Sequence, residues 1–145
     1  MKDQSFRNSA SFGKRIEYYV IGLMLKEGLD VYQPMIDDDG IDVAIKKSDD
    51  KFVMVQIKAS SSKSIQDTLF ANITHAHRKN YWFVFYLEKH KCMCILSSKE
   101  FLEESSANKR GKNIGKWSIS LTKERRERYM VNNFDRIKNE DPDET

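Results

Sequence analysis

Gly40-Ile41-Asp42-Val43-Ala44-Ile45-Lys46-Lys47, a turn at Ser48-Asp49-Asp50, then Lys51-Phe52-Val53-Met54-Val55-Gln56-Ile57-Lys58 is the stretch on which the fold turns. Apolar and polar residues alternate on both sides of the turn, as in half-buried strands whose successive side chains point to opposite faces. Ile41, Val43 and Ile45 share one face of the first strand, opposite Asp42, Ala44 and Lys46. In the second, Val53, Val55 and Ile57 oppose Phe52, Met54, Gln56 and Lys58. A three-residue loop, Ser48 to Asp50, pairs Lys47 with Lys51 and, in the same register, Asp42 with Gln56. An Asp, a Gln and a Lys then converge on one face of a hairpin.

Upstream, Lys14 to Glu27 reads as an amphipathic helix stopped by Gly28. Ile16, Tyr19, Val20, Ile21, Leu23, Met24 and Leu25 fill a wide apolar arc, with Tyr18, Gly22 and Lys26 opposite. Glu17 falls inside that arc, where a lone carboxylate costs several kcal/mol unless a cation or strong donors meet it. Leu29 to Met35 forms a first strand. Downstream, Ile65, Leu69, Ile73 and Ala76 recur with helical spacing, and the run Tyr81 to Leu87 is a buried central strand. A turn at Glu88 to His90 and a strand from Lys91 to Leu96 follow, then a short helix capped by Ser97 or Ser98. Trp117, Ile119 and Leu121 suggest one more short strand, and Thr122 opens a basic C-terminal helix.

The chain has 145 residues, 39% apolar and 32% charged, which suits a single domain over residues 1–138 with a sizeable core. The acidic stretch 139–145 reads as a disordered tail. No apolar run approaches a membrane span and the first ten residues are polar, so a cytoplasmic location is expected. Cys92 and Cys94 lack companions for a zinc site and read as reduced thiols. Net charge is only +3, yet residues 105–138 hold ten Lys/Arg against three acids. Such a concentration suits a polyanion, although a solvated helix face accounts for it equally well.

Helix with Glu17, strand, strand with Gly40-Ile41-Asp42, strand with Val55-Gln56-Ile57-Lys58, helix, strand: this order resembles the PD-(D/E)XK nuclease superfamily, most closely the Mrr-like restriction endonucleases and, through Glu17, the Holliday-junction resolvases. The resemblance spans residues from about Lys14 to about Leu96. It implies a restriction-endonuclease-like α/β (α+β) fold with an αβββαβ core, a mixed central sheet flanked by helices, and the basic C-terminal helix as an addition. Carried over by position, Asp42, Gln56, the Ile57 carbonyl and Glu17 would hold Mg²⁺ or Mn²⁺, and Lys58 would orient the attacking water and stabilise phosphoryl charge. The implied reaction is endonucleolytic hydrolysis of DNA, RNA not being excluded, leaving a 5′-phosphate, by a homodimer acting in defence or in repair and recombination. Two positions depart from the family pattern: Gln56 stands for a Glu, and Ile41 for a Pro.

Asp37, Asp38 and Asp39 could add to a metal site but read more simply as a polar turn. Lys63, Lys109, Arg110, Lys112, Lys116, Arg125 and Arg126 are candidates for phosphate contacts. His75 and His77 would lie on opposite sides of a helix, which suits surface or capping roles. Two alternatives remain open: a catalytically silent nucleic-acid-binding module of the same fold, and a protein-interaction module.

Overall fold

The computed structural model of the chain describes residues 9–36, 40–62, 68–71, 77–107, 109, 114 and 117–145. Helix α1 (Ser9–Lys26) starts earlier than its apolar periodicity places it and stops where expected. Gly28 takes φ +86°. Its N–H bonds Leu25 O at 3.0 Å while Leu29 N–H bonds Met24 O at 3.1 Å, the paired closure of a left-handed helix stop. The buried stripe is Phe12, Ile16, Val20 and Met24. It is narrower than the expected arc, since Tyr19 and Leu25 are 50% and 57% exposed.

β1 (Asp30–Tyr32), β2 (Val43–Ser48) and β3 (Lys51–Ser60) form an antiparallel meander. Val43 faces Val55, the register the alternation predicts, and the ladder ends there, with Asp42 N–H bonding Val55 O at 3.0 Å. The turn differs from expectation, because the ladder shifts between Lys46 and Ser48 and Lys51 faces Ser48 instead of Lys47. The slip is a bulge. Lys47 leaves the ladder and its Nζ donates to Ile137 O at 2.6 Å.

β3 runs parallel to β5 (Tyr81–Leu87), so the chain must cross over between them. The second helix expected around Ile65 to Ala76 is not what the described part of the crossover forms. Thr68–Ala71 is strand β4. Ile65, Ile73 and Ala76 lie outside the described residues. Helical spacing was a true pattern, but Thr68-Leu69-Phe70 is also strand-prone, and a partner strand decides between such readings. That partner is β8 (Trp117–Ser120), which sits between β4 and β7 (Ser106–Ala107) in a second, three-stranded antiparallel sheet.

After β5 comes a 3₁₀ turn (Glu88–His90), then β6 (Cys92–Ser97) and α2 (Ser98–Glu104). Ser97 caps α2 in a capping box, accepting from Glu100 N while Glu100 Oε1 accepts from Ser97 N. Thr122 caps the basic helix as expected. That helix is short, however: α3 (Lys123–Tyr129) gives way to β9 (Met130–Val131), which pairs with the open edge of β6, and α4 (Asp135–Asn139) follows. The main sheet therefore runs β1-β2-β3-β5-β6-β9, antiparallel except between β3 and β5.

β5 is buried on both faces, as its unbroken apolar run predicts. Trp82 and Val84 join Phe12, Ile16, Val20, Val53, Val55 and Phe134 on the α1 side. Tyr81, Phe83 and Phe85 join Phe101, Ile119 and Leu121 on the other. The acidic C-terminal stretch, expected to be disordered, packs on the domain: Pro142 is buried, and Thr145 Oγ1 bonds Ser97 Oγ at 2.7 Å. Composition argues for disorder only where acids lack partners, and the Asp143 carboxylate has two, described below.

Candidate functional site

β2 ends at Val43 while β3 runs on to Ser60, so the ladder between them opens at Asp42. Asp42 N–H still bonds Val55 O at 3.0 Å. Its Oδ2 accepts from Ile57 N at 2.6 Å, replacing the backbone carbonyl that a longer β2 would have offered. In an antiparallel ladder a residue turns its N–H and its C=O to the same neighbour. The Ile57 carbonyl thus faces the notch that the Asp42 carboxylate enters.

Gln56 follows Val55, the residue whose carbonyl Asp42 N–H bonds, and is 5% exposed. A buried amide needs partners, and the Tyr81 hydroxyl supplies one, reaching Gln56 Oε1 at 3.2 Å and also bonding Gly40 O. An amide oxygen has two lone pairs, so one acceptor position of Gln56 outlasts this contact. Gly40 has φ +68°, and a Cβ there would stand 3.3 Å from Gln56 Nε2 and Tyr81 Oη and 3.4 Å from Arg78 Nη1. Both features require glycine before Ile41-Asp42.

Lys58 shares the Gln56 face of β3 and is partly buried. It forms no ion pair with another described residue, so the decorative cross-strand pair that would explain it structurally is not seen. Glu17 comes from the other side. Tyr19 packs edge-on against Tyr86 with centroids 5.6 Å apart, and Tyr86 pairs with Ala59, so this turn of α1 crosses the sheet at the end of β3. The Glu17 side chain is 12% exposed, and Lys14 Nζ answers it at 3.3 Å. Asp42 sits at the open end of the ladder, with its carboxylate on the β3 backbone. Carboxylate, amide and carbonyl oxygens are the hard donors that Mg²⁺ takes. Among the described residues no group of three or more His, Cys, Asp or Glu side chains converges as a metal centre.

The segment before β5 was missed at the sequence level. Arg78 stacks over the Tyr81 ring at 4.2 Å to the centroid. The fully buried Ser98 clamps its backbone, with Ser98 Oγ accepting from Arg78 N and donating to Arg78 O, both at 2.9 Å. Asn80 adopts φ +52°, which asparagine tolerates better than most residues. Its N–H bonds the Asp143 carboxylate at 3.1 Å, and its carbonyl accepts from Met54 N at 2.7 Å. His77 is not helical; it bridges Ser98 Oγ through Nδ1 and Asp143 Oδ1 through Nε2, each at 2.7 Å. No spacing rule links residues 77–80 to residues 98 and 143; the one local signal of a turn there is an Asn, a residue type that tolerates positive φ, just before an apolar strand.

The basic candidates divide. Arg125 is held by Glu104 at 2.9 Å and Ser120 O at 2.8 Å, and Arg126 by Leu121 O at 2.7 Å. Lys109 is exposed. Lys63, Arg110, Lys112, Lys116, Asp37, Asp38, Asp39 and His75 lie outside the described residues. Cys92 and Cys94 are free thiols, and burial, with Cys92 beside it, pushes the Cys94 thiol up to about 12. No described helix is long and apolar enough to cross a membrane.

The mixed sheet with helices against it has a nuclease-like α/β fold. The chain is similar to the solved structure of a bacterial homing endonuclease, I-Ssp6803I, with TM-score 0.58 and 17% identity over 86% of this chain and 89% of that one. No protein-family model and no curated protein matches the chain.

Proposed function

We propose that this protein is a metal-dependent endonuclease of the PD-(D/E)XK type that hydrolyses DNA phosphodiesters at the Asp42 notch. The observation that carries the proposal is the Asp42 carboxylate closing on Ile57 N–H at 2.6 Å, where the ladder opens beside a Lys58 that pairs with no described carboxylate. Asp42, the Ile57 carbonyl and Gln56 Oε1 would hold Mg²⁺ or Mn²⁺, with Glu17 completing the site from the α1 side. The cation would lower the pKa of a water and offset charge on the phosphate. Lys58 donates to the attacking water or to a phosphoryl oxygen, where an ammonium in a partly dry site is worth more than in bulk solvent. The likeness to a homing endonuclease supports an endonuclease over other uses of the fold. Lys63, Lys109, Arg110, Lys112, Lys116, Arg125 and Arg126 are the proposed backbone contacts. Two copies would cut the two strands, in defence against foreign DNA or in repair.

Incubation of the purified chain with supercoiled, linear and branched DNA and with RNA, in Mg²⁺ or Mn²⁺, tests this reading. Cleavage leaving 5′-phosphates is expected, lost in Asp42→Ala and in Lys58→Ala while circular dichroism is unchanged. A wild-type chain that cleaves none of these substrates sinks it. One observation favours a second reading, a silent nucleic-acid-binding module: Gln56 is already engaged by Tyr81, which gives it a structural use. Metal-independent, salt-sensitive DNA binding without cleavage would select that reading.

A further inference from the structure

We infer that Lys91, in the turn between β5 and β6, is a contact for a phosphate of the DNA backbone. The inference rests on the nuclease reading of the Asp42 notch and adds a cation that neither the sequence motif nor the basic C-terminal segment contains.

β5 and β6 are joined by Glu88, Lys89, His90 and Lys91, and Lys91 N–H closes the turn on Glu88 O at 3.1 Å. Lys91 does so at φ +48° and ψ +42°, the left-handed region that glycine enters freely and asparagine more readily than other residues. A lysine there costs stability that glycine would not. Its side chain is exposed, and its ammonium forms no ion pair or hydrogen bond with another described residue, so no internal contact offsets that cost.

The place of the turn gives the lysine a use. β3 and β5 run parallel, with Ala59 beside Tyr86 and Ser60 beside Leu87, so the turn lies just past the half of β3 that the Asp42 notch flanks. Glu88 Oε1 accepts from Ser62 N at 3.0 Å, which ties the turn to the chain leaving β3. Lys91 precedes Cys92, the partner of Leu87, and by strand spacing and rise its backbone stands about 14 Å from that of Lys58. A DNA strand with one phosphate at Lys58 meets Lys91 a few nucleotides further on. Lys91 also stands on the rim of a depression of about 820 Å³ lined in part by Tyr19, Leu23, Tyr86, Met93 and Val131. Apolar walls displace water and strengthen the attraction between a rim cation and a phosphate. Lys89, exposed in the same turn, adds a second positive charge, while Glu88, its one acid, has Oε1 engaged by Ser62 N–H.

Fluorescence anisotropy of a labelled DNA duplex in EDTA, over a series of salt concentrations, tests the inference in Lys91→Gly, Lys91→Asn and Lys91→Arg. Glycine and asparagine suit the left-handed position but lack the charge, so both variants should hold or exceed the wild-type urea midpoint. Their DNA affinity at low salt should nevertheless fall about fivefold, and the slope of log K against log salt should flatten by about 0.9, the release of one counterion fewer. Lys91→Arg should bind as the wild type does. A Lys91 that serves only the turn would shift the urea midpoint and leave the slope alone. An unchanged slope in Lys91→Asn overturns the inference, as does a wild type that binds no duplex. The two readings fail apart. An unchanged slope in Lys91→Asn beside a wild type that cleaves removes Lys91 alone, whereas a wild type that binds DNA through Lys91 and cleaves nothing removes the nuclease reading alone.

Discussion

Asp42 Oδ2 accepts the backbone N–H of Ile57 at 2.6 Å, which makes the principal candidate for metal binding a rung of the sheet as well. A charge-assisted bond of this length fixes the carboxylate before any ligand arrives. Its two roles come apart on substitution. Asparagine keeps an acceptor for Ile57 N–H, so Asp42→Asn should lie within about 0.5 kcal/mol of wild type, whereas Asp42→Ala should lose about 1–3 kcal/mol by urea denaturation. Both should abolish any Mg²⁺-dependent rise in Tm. A metal response that survives in Asp42→Asn would remove Asp42 from the site.

Gly40 and Tyr81 form a second such link, through the Tyr81 hydroxyl and the Gly40 carbonyl. Gly40→Ala meets both an unfavourable φ of +68° and three side-chain atoms within 3.4 Å. The expected cost is about 1–3 kcal/mol, read from the urea midpoint. Tyr81→Phe, which only deletes the hydroxyl, should cost about 1 kcal/mol. Equal stability of Gly40→Ala and wild type would mean that the turn is not held this way.

Cys94 offers a pH test. Burial raises its thiol from 9.0 to about 12, so the folded state keeps a proton that the unfolded state loses. Its contribution to stability is complete below about pH 9 and declines as the pH rises from 9 towards 12. Wild type should lose stability over that window more steeply than Cys94→Ala. At pH 8 iodoacetamide should label Cys92 in the native protein and reach Cys94 only after denaturation, as mass spectrometry would show.

Asp143 joins the C-terminal stretch to the loop that presents Arg78, through His77 Nε2 at 2.7 Å and Asn80 N at 3.1 Å. Asp143→Ala should speed hydrogen exchange at the Asn80 amide at least tenfold and cost about 1–2 kcal/mol. An Asn80 amide that exchanges at its wild-type rate would show that the tail is not docked in solution.

Most of what was legible in the sequence is local. Alternation placed β2 and β3 and their register, the apolar run placed β5, Gly28 marked the end of α1, and Ser97 and Thr122 marked the starts of α2 and α3. Each signal depends on neighbours a few residues away, where periodicity, capping and φ preference act. Local signals failed where a distant strand supplied the deciding bonds. Thr68–Ala71 became strand because β8 pairs with it, and the basic helix broke because the open edge of β6 takes Met130 and Val131.

The candidate site divides along the same line. The sequence by itself determined that Val43 stands across from Val55, with Gln56 and Lys58 on the β3 face opposite Val55 and Ile57, because a period of two and a short turn allow only one register that buries Val43, Val55 and Ile57. Only the tertiary structure decided that Asp42 caps Ile57 N–H, that Glu17 meets the sheet's end from the opposite face, and that Ser98, Tyr81 and Asp143 hold Arg78 and its loop beside Gly40. The hydrogen bonds among those contacts join residues 15 to 66 positions apart, and no local preference of the chain encodes them; they exist because the packed core leaves each polar group one place to find its partner.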